Sequence, residues 1–152
     1  MRVSAKTDYA LRATVELAAA EGDAPVKGER LATSQGIPLR FLENILLQLR
    51  HAGLVESRRG AEGGYKLARP AAEVTLADVI RAIDGPLAGV SGARPETLSF
   101  PGRAEPMRDV WVAVRAALRS VLEHVTLADV AAGELPEEIR GLVEDRDAWL
   151  SR

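Results

Sequence analysis

The side chains in this chain that could do chemistry are cations and hydrogen-bonding groups rather than nucleophiles or metal ligands. There is no cysteine, and the two histidines, His51 and His124, have no evident nucleophile beside them. Without cysteine there can be no disulfide, no thiolate chemistry and no cysteine-held zinc or iron–sulfur cluster. Two histidines and scattered acids offer no metal-ligand spacing either. Neither an enzyme nor a cofactor or metal protein is expected. The informative stretch is residues 27–67, KGERLATSQGIPLRFLENILLQLRHAGLVESRRGAEGGYKL. Within it, Arg40, Glu43, Asn44 and Gln48 share one face of a helix with Leu47 and His51. Long polar side chains at this spacing near a helix start are what the reading of base edges requires. Arg58, Arg59 and Lys66, with Arg69 just beyond, surround Gly60, Gly63 and Gly64. That glycine-rich tip could bring backbone N–H groups close to a phosphate. Lys6 and Lys27 add further candidate phosphate contacts, which supply affinity and its salt dependence.

These residues need a frame, and the local signals describe one. A short helix over about 27–34 ends at Gln35-Gly36, and Gly36 suits a left-handed position between two helices. Pro38 starts the next helix, where its missing N–H costs nothing. Phe41, Leu42, Ile45, Leu46 and Leu49 form its apolar stripe, and Gly53 stops it. Residues 54–59, 60–64 and 65–68 then read as strand, turn and return strand. Helix, turn, helix and hairpin in this order make a winged helix-turn-helix. An earlier helix, from about Ser4 or Thr7 to Ala20, is apolar over much of its circumference, so it should be sandwiched among others. Residues 21–25 break it.

Downstream, Thr75 and Asp78 form a capping-box-like start to a helix carrying Leu76, Val79, Ile80 and Ile83, and Gly85-Pro86 ends it. Residues 87–105 are expected to be a loop, longer than most connections. It reads either as a disordered or simple connection or as a contacting loop that, with Arg94, Phe100 and Arg103, closes on an anionic effector. A long helix over 106–125 follows. Met107, Trp111, Val114, Leu118, Val121 and Val125 alternate spacings of four and three, a heptad seam suited to a second subunit. Thr126 and Asp129 repeat the capping pattern before a short helix, and Pro136 opens a last one, with Ile139, Leu142, Val143 and Leu150 as its apolar side. No internal repeat is evident.

Bulk properties agree with a DNA-binding front and a partner-facing back. Residues 1–70 hold 11 basic against 8 acidic residues, and residues 71–152 hold 9 against 14, within a net charge of −2. Such asymmetry fits a nucleic-acid module joined to another surface. At 152 residues and 47% hydrophobic, the chain can bury roughly 70% of its unfolded surface without staples. No secretory signal or membrane-length apolar run is present, so a cytoplasmic location without membrane contact is expected. The fold expected is mainly α with a small β-hairpin wing. Its organisation is 1–70 for DNA binding, 71–105 as connecting helix and loop, and 106–152 for dimerisation and the C-terminal helices.

At TDYALRA, at GIPLRFLENILLQLRHAGLVESRRGAEGGYKLARP, at VTLADVIRAIDGP and at WVAVRAALRSVLEHVTLADV, the chain resembles the bacterial winged-helix regulators of the IscR/NsrR/CymR family, the Rrf2 superfamily. The resemblance runs with gaps over roughly residues 3–132. It implies a homodimer held by crossed long helices, each subunit placing its third helix in the major groove and its wing on the adjacent backbone or minor groove. By position it points to Arg40, Phe41, Glu43 and Asn44, and to Arg58, Arg59 and the 60–64 tip. Cluster-binding members carry three cysteines in the segment matching 87–105; here there are none. Asp8, where some nitric-oxide sensors supply a carboxylate ligand, then has only a capping or surface role. Cysteine-free members, controlled by metabolite level or a partner enzyme, are the nearer analogy. The expected function is a cluster-free regulator, a repressor, on a pseudo-palindromic duplex operator. The rival is a winged helix that binds a partner enzyme instead of DNA.

Overall fold

The computed structural model describes residues 3–20 and 24–150. The first helix, α1 (Ala5–Ala19), is the axis of the molecule. Its Ser4 cap accepts a hydrogen bond from the Thr7 N–H at 3.1 Å. Residues 21–23, part of the expected break after it, lie outside the described residues. The buried side of α1 is lined by Thr7, Ala10, Ala13, Thr14 and Leu17, mostly small, so neighbouring elements approach its backbone closely. It packs against α2 (Gly28–Gln35), α3 (Leu39–His51), α4 (Leu76–Asp84), α6 (Leu127–Ala132) and the second hairpin strand. That is the sandwiched position its apolar circumference predicts. The buried Thr14 hydroxyl donates to the Ala10 carbonyl at 2.9 Å, which removes the penalty of an orphaned polar group.

The helix-turn-helix and hairpin form as the local signals require. Gly36 takes φ 62°, and its N–H closes on the last carbonyls of α2. Pro38 precedes α3, whose Leu42, Ile45, Leu46 and Leu49 are completely buried. Strands β1 (Val55–Arg58) and β2 (Gly64–Leu67) pair antiparallel, with Val55 opposite Leu67 and Arg58 opposite Gly64. Val26 bridges to β2 as well: its N–H and carbonyl exchange 2.8 Å bonds with Tyr65. The wing is thereby stitched to the start of α2.

One short internal repeat exists after all. The hexapeptide VTLADV occurs at 74–79 and again at 125–130. Each copy starts a helix through a complete Thr–Asp capping box, opening α4 and α6. The two copies clasp one another antiparallel: Leu76 N–H donates to the Val125 carbonyl at 3.0 Å, and Leu127 N–H to the Val74 carbonyl at 2.9 Å. Everything between them, the 87–105 segment and α5 (Met107–Leu122), is an excursion whose two ends are tied together. Because Leu127 joins the same core as Leu42 and Val74, α6 packs with the DNA-binding body.

Two expectations about the excursion are revised. Val125 cannot belong to an exposed seam: α5 ends at Leu122, and Val125 is 2% exposed, held in its own chain by the clasp. The 87–105 segment is not featureless, since it forms 3₁₀ turns at Pro95–Thr97 and Gly102–Ala104 and buries Leu87 and Pro95. The first of these turns packs on α5. By contrast, none of the 16 residues of α5 is buried. Trp111, Val114, Leu118 and Val121 are half-buried, and Met107, Val110, Ala113 and Ala117 are exposed. The last helix, α7 (Glu137–Glu144), buries only Ile139, leaving Leu142 and Val143 exposed. Leu150 lies beyond its end and is exposed too.

Candidate nucleic-acid interface

On α3 the buried stripe sets the phase of the outward face. With Leu42, Ile45, Leu46 and Leu49 inward, Arg40, Glu43 and Asn44 are exposed and Gln48 is half-exposed. The Gln48 amide donates to Asn44 Oδ1 at 3.3 Å, an i,i+4 pair that aligns the two side chains. Phe41, whose spacing put it on the apolar stripe, is instead 46% exposed, because Leu42 and Ile45 already fill the core side. Its ring meets Tyr9 of α1 edge-on, with centroids 5.8 Å apart and planes at 88°. It therefore reaches the outer surface from a fixed base.

The side chain that sequence reasoning missed is Arg12. From α1 it donates through Nε to Gln35 Oε1 at 3.1 Å and through Nη2 to the Gln35 carbonyl, at the turn between α2 and α3. Asp8 holds the other guanidinium nitrogen at 3.0 Å, and the Tyr9 ring lies 5.4 Å from it. The Gln35 amide in turn donates to Glu16. This network fixes the pitch of α3 against α1. The Asp8–Arg12 spacing was visible in sequence; the partner at Gln35, far along the chain, was not. Asp8 is thus spent on an ion pair.

Lys27, Glu43, Arg58 and the wing glycines Gly60, Gly63 and Gly64 line one concavity of about 280 Å³. The Gly28 end of α2 also faces it, and helix N-termini favour anions. The side chains of Lys27, Arg40, Arg58 and Arg59 make no hydrogen bond or ion pair among the described residues, so their charge is available. Lys66 differs. It pairs across the hairpin with Glu56 at 3.1 Å, which damps its charge. Lys6 is half-buried and is not part of the concavity. The glycines are needed first by the protein's own backbone. A Cβ on Gly63 would lie 2.3 Å from the Arg58 carbonyl oxygen, and one on Gly64 2.5 Å from that of Val26. The Gly63 N–H is already bound to the Gly60 carbonyl at 3.0 Å; it is not offered to a phosphate.

The candidate effector loop also rearranges the expected set. Arg94 lines an open groove of about 480 Å³ with Arg81, Leu87, Glu96, Arg115 and Arg119. Phe100 and Arg103, beyond the Pro95–Thr97 turn, lie outside its walls. Arg115 bonds Glu96, and Arg81 and Arg119 share Glu123, the latter at 3.0 Å. Glu96 is held below its ordinary pKa by a backbone N–H first, then by Arg115 and the nearby Arg94. Glu123 is lowered by hydrogen bonds from Arg81 and then Arg119.

Relatives bear on the same conclusion. Residues 3–133 match the family described as Rrf2, iron-dependent transcriptional regulator. A Mycobacterium tuberculosis protein named as a putative HTH-type transcriptional regulator is 53% identical over 145 residues, 95% of this chain and 90% of its own length. The structure of CymR, titled the global cysteine regulator of Bacillus subtilis, superposes with a TM-score of 0.75 at 34% identity, over 88% of this chain and 98% of that one. IscR of T. potens gives 0.68 at 32% identity, over 100% and 93%. Iron in that family description does not fit this donor set. With no cysteine there is no thiolate to hold a cluster, and no group of three or more His, Asp or Glu converges among the described residues. No described helix is long and apolar enough to cross a membrane. From fold, helix-turn-helix and relatives together, the chain belongs to the Rrf2 family of helix-turn-helix transcriptional regulators.

Proposed function

We propose that this regulator acts as a homodimeric, cluster-free repressor on a pseudo-palindromic operator. Arg40, Phe41, Glu43, Asn44 and Gln48 read bases from α3 in the major groove, while Lys27, Arg58 and Arg59 hold phosphates. The observation that carries the reading is that Glu43, on the exposed row of α3 that also bears Arg40, Asn44 and Gln48, lines one concavity with two unpaired cations, Lys27 just before α2 and Arg58 of the wing. The dimer is supported by α5, a 16-residue helix with no buried residue and an apolar outer flank at Met107, Val110, Ala113 and Ala117. An apolar helix of this length left uncovered lowers its free energy by pairing with a copy of itself. Two copies of α3 at fixed spacing then require half-sites at fixed spacing.

The test is a duplex-binding titration on promoter fragments over a salt series. Counterion release makes log affinity fall linearly with log salt, with a slope set by the number of neutralised phosphates. Salt-dependent binding with tighter affinity for one promoter sequence is expected. Absence of salt-dependent binding to every fragment would favour a winged helix used to bind a partner enzyme. Repression is separated from activation by reporter expression with and without the protein.

A further inference from the structure

The arginine-lined groove beside α5 has no part in the DNA-reading surface. Its cations come from three separate segments: Arg81 from α4, Arg94 from the loop, and Arg115 and Arg119 from α5. Surface arginines repel one another unless something holds them together. Glu96 and Glu123 do so, Glu96 binding Arg115 and Glu123 bridging Arg81 and Arg119. Four guanidiniums against two carboxylates leave a formal surplus of two positive charges in one groove. Arg94 has no ion pair among the described residues. Leu87, Gly85 and Pro86 supply the rest of the wall. Guanidiniums favour phosphate and carboxylate oxygens through paired N–H donors.

We propose that this groove is a binding site for a small dianionic or polyanionic molecule, one bearing two or more phosphate or carboxylate groups. Arg94 makes the first contact, since its donors are free. Arg115 is shared between the ligand and Glu96, so the incoming anion competes with the loop's own carboxylate. A bound anion bridges α4, the 87–105 segment and α5, which fixes the inclination of α5 to the body. That consequence for DNA binding rests on the proposed function; the site itself does not.

Binding is measured on the full chain, without DNA, by calorimetry and thermal shift. The probes are inorganic pyrophosphate and citrate, against sodium chloride at matched ionic strength. Saturable binding at one site per chain, with melting temperature raised beyond the chloride control, is expected for at least one probe. Arg94→Ala should weaken it by about tenfold or more, the size of a lost charge-assisted hydrogen bond. Arg94 makes no ion pair and only a longer-range charge interaction with Glu96, so the variant should change the melting temperature without ligand only slightly. Glu96→Gln should tighten binding several-fold by releasing Arg115, and Arg103→Ala should leave it unchanged. No saturable binding of either probe above chloride overturns the site, as does wild-type affinity in Arg94→Ala. Weaker binding in Glu96→Gln overturns the competition. Operator affinity with and without the bound probe is a separate readout. A bound probe that leaves DNA affinity unchanged removes the regulatory role and leaves the site.

Discussion

Arg40 and Arg59 carry the same charge but sit in different settings, and their substitutions should separate. Arg40 is exposed at the start of α3 beside Glu43 and Asn44, whereas Arg59 is in the hairpin tip beyond the last paired rung at Arg58. Arg40→Ala is expected to cost about 1–3 kcal/mol on operator DNA and to relax sequence choice. Arg59→Ala should weaken all sequences alike and reduce the salt slope by about one. Equal losses for Arg40→Ala on operator and random DNA would remove its base-reading role. The glycines also separate. A Cβ on Gly36 meets nothing within 4 Å, so Gly36→Ala carries only the left-handed backbone penalty of roughly 1–2 kcal/mol. Gly64→Ala forces the hairpin away from Val26 as well, and should lower the melting temperature further. Thermal unfolding of both variants decides this.

Helix α5 has no fully buried residue, and several of its arginines are held by ion pairs. Glu123, just past its end, joins Arg119 of α5 to Arg81 of α4. Its folded pKa is lowered, so this contribution is present above the ordinary carboxylate value of 4.5 and is lost as pH falls below it, through the lowered folded value. Melting temperature should therefore drop as pH falls below the ordinary value of 4.5 and through the lowered folded value. Glu123→Gln should be less stable than wild type at pH 7, with the gap closing as the pH falls through that window. A constant gap from pH 7 to 3 would mean that the glutamate works by packing rather than charge. Periodicity alone assigned α5 a seam of six residues. The structure half-buries Trp111, Val114, Leu118 and Val121 in their own chain and turns Val110 outward, 48% exposed. A heptad pattern reports which side of a helix is apolar, but not how that side is divided between its own core and a partner.

At the scale of the whole molecule, the VTLADV clasp makes the DNA-reading body and the base of α5 a single unit. From the base of α5 the contacts run to α1, which packs on both clasped helices, and from α1 through Arg12 to the turn before α3. This is a continuous line of packed and hydrogen-bonded groups. Val110→Glu is expected to halve the mass measured by analytical ultracentrifugation while leaving the monomer folded, because Val110 is exposed and outside the core of its own chain. An unchanged mass would show that the exposed flank of α5 is not the dimer surface.

What the sequence by itself determined was local. Helix phases, the Thr–Asp caps, the Gly36 turn and the hairpin order all depend on residues close to one another along the chain. They were readable because the physics that forms them acts over that range. The lack of cysteine likewise excluded a thiolate cluster before any fold was known. Tertiary structure decided what distant residues do together. It brought Arg81, Arg94, Arg115 and Arg119 to one groove and left Phe100 and Arg103 outside it. It set Gln35 against Arg12, made backbone spacers of Gly63 and Gly64, and drew Val125 from a supposed seam into the core. Each of these depends on how whole elements pack, and no short stretch of residues encodes that.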